Sequence, residues 1–242
     1  MNIEAHRIKV SGITVDVVRK AIKNLHLGVY PPYGRVRVAA PLAVSDDAVK
    51  LAVISRLGWI KRQKAKFEDQ PRQSRREMVT GESHYFLGQR YRLNTKEQNG
   101  AGKVVLRNKA AIDLYVRPGT DAERREKILQ QWYREQLKAL VPPLLDKWQQ
   151  TLDVQVADWG IKKMKTKWGA CNIKVRRIWL NLDLAKKPIQ CLEYILVHEL
   201  VHLLERHHND RFTAYMDKFI PKWRFLRETL NKGPLGHETW KY

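Results

Sequence analysis

Near residue 120 the hydrophobic period of this 242-residue chain changes, which excludes both an all-strand and an all-helix fold. Over the first forty residues apolar and polar positions alternate, in residues 3–10, 13–18, 25–30 and 36–40. A period of two puts one face of a strand in a core and the other in water. Ser11-Gly12 and Pro31-Pro32-Tyr33-Gly34 punctuate these stretches, which predicts a small antiparallel sheet. Ser45-Asp46-Asp47 then offers an N-cap and an acidic first turn. The helix this starts is expected to run to about Phe67, with Val49, Leu51, Ala52, Ile54, Leu57 and Ile60 at helical spacing. Two further strands are expected over 84–93 and 104–116, separated by the turn residues Asn99-Gly100 and Gly102.

Beyond Thr120, Ile128, Trp132, Leu137, Leu140, Leu144 and Trp148 recur at three- to five-residue steps, as on the buried side of a long helix. Pro142-Pro143 predicts a break that leaves two shorter helices. Strands are expected over 153–157, 161–168 and 178–182. Helix follows from Pro188 almost to Asn231, interrupted at 207–209 and at Pro221. The predicted fold is α+β: a strand-rich region with one helix over 1–119, then a mostly helical domain with a small sheet over 120–242.

Charge adds a class of partner. Lys and Arg number 46 against 25 Asp and Glu, a formal charge of +21 that attracts polyanions whatever the fold. The densest basic stretch holds Lys61, Arg62, Lys64, Lys66, Arg72, Arg75 and Arg76, with Trp59 and Tyr85 available for base stacking. It reads either as a nucleic-acid contact strip or as the solvated face of a helix followed by a polar linker. Two cysteines cannot build a disulfide framework, and the N-terminus lacks an apolar signal region. No run approaches the ~18 apolar residues that span a bilayer. A cytoplasmic chain without a membrane partner is expected, and its oligomeric state is not legible.

Chemistry concentrates at His198-Glu199-Leu200-Val201-His202. Positions i and i+4 share one helix face about one turn apart, so both imidazoles can reach one metal ion. Glu199 is placed to hold an attacking water and take its proton. The apolar run 192–197 is suited to burying this helix. A catalytic zinc takes three protein ligands and keeps a fourth position open. A straight helix would carry His208 to a different face, so the helix is expected to end near residues 206–207 and the chain to turn back. His208 is the preferred third ligand, with His207 and then His237 as alternatives. Asn209 or Asp210 would cap a following helix whose apolar stripe is Phe212, Met216 and Phe219.

Lys167-Trp168-Gly169-Ala170-Cys171, then Ile178-Trp179-Leu180-Asn181-Leu182, then a proline and the segment 194–212, form a pattern that resembles the YgjP-like zinc metallopeptidases. That family is related to SprT-like and minigluzincin-type enzymes. The likeness is strongest over 160–230. Trp59-Ile60 and the stretch from Gly81-Glu82 to Leu87-Gly88 resemble the family's weaker first half. Departures are Ala170 for Ser, Val201 for Ala, His207 for Asn, and Asn209-Asp210 for Ser-Lys. The resemblance implies a zincin-like domain with one zinc per chain on His198, His202 and His208, Glu199 as catalytic base, and a peptide or protein substrate.

Several roles follow as expectations. Arg211, Tyr215 and His207 are close enough in sequence to stabilise the oxyanion. The stretch Arg177, Ile178, Trp179, Leu180 and Asn181 is the candidate strand for pairing with extended substrate. Cys171 is read as a buried strand-end residue in preference to a ligand or redox switch, with Gly169 allowing close backbone approach. The rival is a basic nucleic-acid-binding protein whose zinc site is structural or vestigial. SprT-like relatives that act on DNA-attached proteins would join the two readings.

Overall fold

In the computed structural model, which describes residues 5–30, 33–69, 77–108, 110–164 and 167–231, the chain divides into one unit within Met1–Arg75 and another within Arg76–Lys232. Of the residues singled out from sequence, Arg72, Arg75, Arg76 and His237 lie outside those described.

The first unit holds β1 (Ala5–Val10), β2 (Ile13–Lys20), β3 (His26–Tyr30) and β4 (Arg35–Pro41) in the order β1-β2-β4-β3. The sheet is mixed, not wholly antiparallel as expected, because β4 enters between β2 and β3 and runs parallel to β2. Burial explains the order. Val36, Val38 and Ala40 of β4 are completely covered, as are Val15 and Val17 of β2, whereas β3 carries no fully buried residue. The two most apolar strands take the centre, where both of their neighbours are strands.

Two helices, α1 (Asp46–Ile54) and α2 (Leu57–Asp69), cover this sheet with Val49, Val53 and Ile60. The Ser45 hydroxyl caps α1 by accepting from the Ala48 N–H at 3.3 Å. The single helix expected here is broken at Ser55-Arg56. The Arg56 N–H reaches back only three residues to the Val53 carbonyl (3.1 Å), a tight turn that restarts the helix. Lys61, Arg62, Lys64 and Lys66 lie on α2, as does the part-exposed Trp59.

The second unit begins with β5 (Ser83–Phe86), β6 (Gln89–Glu97), β7 (Lys103–Arg107) and β8 (Ala111–Val116), ordered β5-β6-β8-β7. Each of the two strands expected here is a hairpin. The first turns on Leu87-Gly88, both with positive φ, the second around Asn108. These strands share one core with α3 (Ala122–Leu152). The Phe86 ring lies 4.8 Å from that of Trp132, and the Tyr133 hydroxyl donates to the Tyr85 carbonyl at 2.8 Å. The chain therefore divides near residue 75 and not at the expected 119/120.

Helix α3 is continuous over 31 residues, through Pro142 and Pro143. The prolines free the carbonyls of Lys138 and Ala139, and both residues are exposed, so water can take those bonds. On the opposite face Leu137, Val141, Leu145, Trp148 and Leu152 are buried along the same core, which holds both halves in line. Asp153 ends the helix in the left-handed region (φ 50°), so 153–157 is no strand; pairing begins only with β9 (Asp158–Lys162). β10 (Gly169–Asn172) and β11 (Arg177–Asn181) complete a sheet ordered β10-β11-β9. A 3-10 turn (Leu182–Lys186) leads to α4 (Ile189–Val201), α5 (Asp210–Phe219) and α6 (Trp223–Asn231). Among the described residues no helix is long and apolar enough to cross a membrane.

Candidate metal centre

Helix α4 is apolar nearly all round. Cys191, Leu192, Leu196, Val197, Leu200 and Val201 are completely buried, so its backbone is held from several sides. His198 and His202 share its remaining face. The helix ends sooner than expected, with His202 itself as the C-cap. The Leu203 and Leu204 N–H groups bond three residues back, to Leu200 and Val201 at 2.9 Å, which tightens the last turn and diverts the chain. Asn209 then caps α5, its side-chain oxygen accepting from the Phe212 N–H at 3.0 Å. Between these two fixed ends the chain reverses and brings His208 back over α4.

Nitrogens of His198, His202 and His208 lie within 4.8 Å of one another. The Nε2 atoms of His198 and His208 are 3.0 Å apart. Two nitrogens bound tetrahedrally to zinc, with bonds of about 2.0–2.1 Å, would stand roughly 3.3 Å apart. The Phe212 ring packs against all three imidazoles, with centroid separations of 4.9, 4.9 and 4.6 Å. His202 Nδ1 lies 3.2 Å from the Glu205 carbonyl, which makes Nδ1 the donor and leaves Nε2 as the free lone pair.

Electrostatics favour a cation among these rings. Burial, with His202, His208 and Arg227 nearby, pushes His198 down to about 3, so the ring is neutral at physiological pH and carries a donor lone pair. Burial also lowers His202. Two imidazoles held neutral by burial, with His208 converging on the same point, suit a zinc-like ion.

Glu199 is 5% exposed, and burial raises its carboxyl to about 8, against the opposing pull of the Lys167 charge. It sits against the backbone of β10. A Cβ added to Gly169 would come within 2.7 Å of Glu199 Cγ and 2.8 Å of Cδ, so only glycine leaves room for it. Gly169, Glu199 and the three imidazoles open into one cavity of about 610 Å³, which Tyr194 and Arg227 also line.

The structure separates the expected site residues. His208 joins the cluster. His207 is exposed, with its backbone N–H on Glu205 Oε1 at 3.2 Å. Arg211 faces Glu205 at 3.9 Å, and Tyr215 stacks on Phe219 at 6.3 Å; neither lines the cavity. The stretch 177–181 is not an edge available to substrate. It is the central strand β11, bonded to β10 on one side and β9 on the other. Ile178 and Leu180 are fully buried, Trp179 packs over Gly160, and Arg177 pairs with Asp158. Asn181 clamps the chain before β10, donating to the carbonyls of Met164 (2.9 Å) and Lys167 (2.7 Å). The cavity wall is β10, which pairs with no second strand among the described residues. Burial, then Glu199, pushes the Cys171 thiol up to about 11, and its sulfur is not among the ligand atoms that converge with those of His198, His202 and His208.

Sequence reasoning missed Tyr194 and Arg227. Tyr194 stands four residues before His198 on the same helix, its ring 6.0 Å away, a spacing that was available to read. Arg227 carried no local signal.

The family described as YgjP-like, metallopeptidase domain, matches this chain over residues 23–233. No curated protein matches it. Among solved structures, that of the metallopeptidase zymogen abylysin of Pyrococcus abyssi is 23% identical. The likeness covers 37% of this chain and 90% of that one, with a TM-score of 0.35.

Proposed function

The chain belongs to the YgjP-like metallopeptidase family, and from that premise we propose that it hydrolyses peptide bonds with one zinc ion held by His198, His202 and His208 and with Glu199 as general base. The observation that carries this reading is the convergence of three imidazoles beside a buried carboxylate in one cleft. When bound, zinc supplies Lewis acidity toward the scissile carbonyl and lowers the pKa of water.

The chain's own residues do the rest. Glu199 takes the proton of the attacking water and delivers it to the leaving nitrogen. Gly169 holds that carboxylate in place by leaving no alternative space beside it. Burial raises the Tyr194 phenol, so it keeps its proton and serves as hydrogen-bond donor to the developing oxyanion, in place of Arg211, Tyr215 or His207. An extended substrate lies along β10, whose outer backbone groups are open to pairing, as edge strands generally permit.

Zinc-loaded protein is expected to cleave unfolded protein substrates, to stop when the metal is chelated and to resume when zinc is restored. Full loading without cleavage would sink the reading. Gly169→Ala is expected to lower kcat by about 10²-fold with zinc content unchanged, since misplacing a catalytic group by an ångström costs that much. An unaltered kcat in that variant would remove Gly169 from the positioning of Glu199.

A further inference from the structure

The cleft carries a charge pattern that amide hydrolysis does not require. Three cations from three separate segments line it: Lys167 just before β10, Arg206 in the turn after α4, and Arg227 on α6. All three are exposed, and none forms an ion pair with a described residue. Several acidic side chains of this unit are engaged with other partners. Glu205 accepts from the His207 N–H and faces Arg211, Asp217 binds Arg224, and Asp183 pairs with Lys186. Among the described residues the only carboxylate lining the cleft is Glu199, buried against Gly169. Trp168, Ile173, Ile195 and Leu230 add apolar lining to the same cleft.

Like charges gathered around a concavity focus their field into it. A guanidinium is shaped to take a carboxylate through two parallel hydrogen bonds. The three cations line the same cavity as the three imidazoles and Glu199, so the carboxylates of a peptide lying there come within their reach.

Resting on the reading of this cleft as the place where peptide lies, we infer that it selects peptides with acidic residues beside the scissile bond, their carboxylates received by Arg206, Arg227 and Lys167. The apolar lining takes the neighbouring side chains. Selection is then by charge at the flanking positions and not by one deep pocket.

The test uses the zinc-loaded full chain carrying Glu199→Gln, so that binding is read without turnover. Two fluorescent peptides of equal length, differing only by Glu or Gln at the positions flanking the central bond, are compared by anisotropy. The acidic peptide should bind about tenfold tighter at low salt, the size expected of two or three exposed charge pairs. That margin should shrink at high salt and fall to about twofold or less when Arg206→Gln and Arg227→Gln are added. Equal binding of the two peptides would overturn the inference, and so would a margin that survives the added substitutions. Tighter binding of a single-stranded oligonucleotide than of the acidic peptide, lost with the same substitutions, would also overturn it and assign the cations to nucleic acid. Failure of the hydrolase reading shows separately, as acidic peptide bound but left uncut by the zinc-loaded wild-type chain.

Discussion

Glu199→Gln is expected to lower kcat by about 10²–10⁴-fold while leaving zinc in place, the range that one positioned acid–base group contributes. Glutamine preserves the shape that fits against Gly169, so the packing of β10 on α4 survives. What it loses is the ability to carry a proton. In the ion-free protein burial raises this carboxyl to about 8, and a dication bound beside it would lower that value toward the working range of a base. Steady-state kinetics beside metal analysis decides the matter. Turnover within a few-fold of wild type would take Glu199 out of the mechanism.

His208→Ala should cost both the metal and the activity. It removes one of three converging donors and leaves His198 and His202, a pair on one helix face with no third protein ligand among the described residues. Losing even a partner of a ligand costs about 10–100-fold in affinity, so losing the ligand itself should cost more. Wild-type protein should retain about one zinc per chain through dialysis and gain thermal stability with added zinc, as for any ligand that binds only the folded state. The variant should do neither, and His198→Ala should behave the same way. His207→Ala is the control, because that side chain is exposed and outside the cluster. Zinc lost from His207→Ala and kept by His208→Ala would reverse the assignment.

Much of this was legible because it is local. Ser45 as a cap, the apolar run of α4, the pairing of His198 with His202 and the capping of α5 by Asn209 all depend on residues within one helical turn. The preference for His208 over His207 followed from asking where a chain must turn. Its outcome depended on how tightly α4 ends, and the helix stops at Val201, several residues before the expected point. Arg177–Asn181 was misread as an edge because alternation shows that a strand exists and says nothing of which strands flank it. The candidate oxyanion donors were chosen by nearness in sequence to the histidines. Tyr194, one turn upstream, and Arg227, two helices downstream, are what the folded chain brings to the cleft.

Composition and spacing alone determined that this is a mixed α+β chain with a divalent-metal motif on a buried helix, since helical and strand periods are properties of neighbouring residues. Only tertiary structure decided that α3 runs unbroken through two prolines, that β10 and not β11 borders the cleft, and that Gly169 cradles Glu199. Each of these depends on contacts between distant segments, where the burial of a whole face outweighs a local preference worth a few kcal/mol.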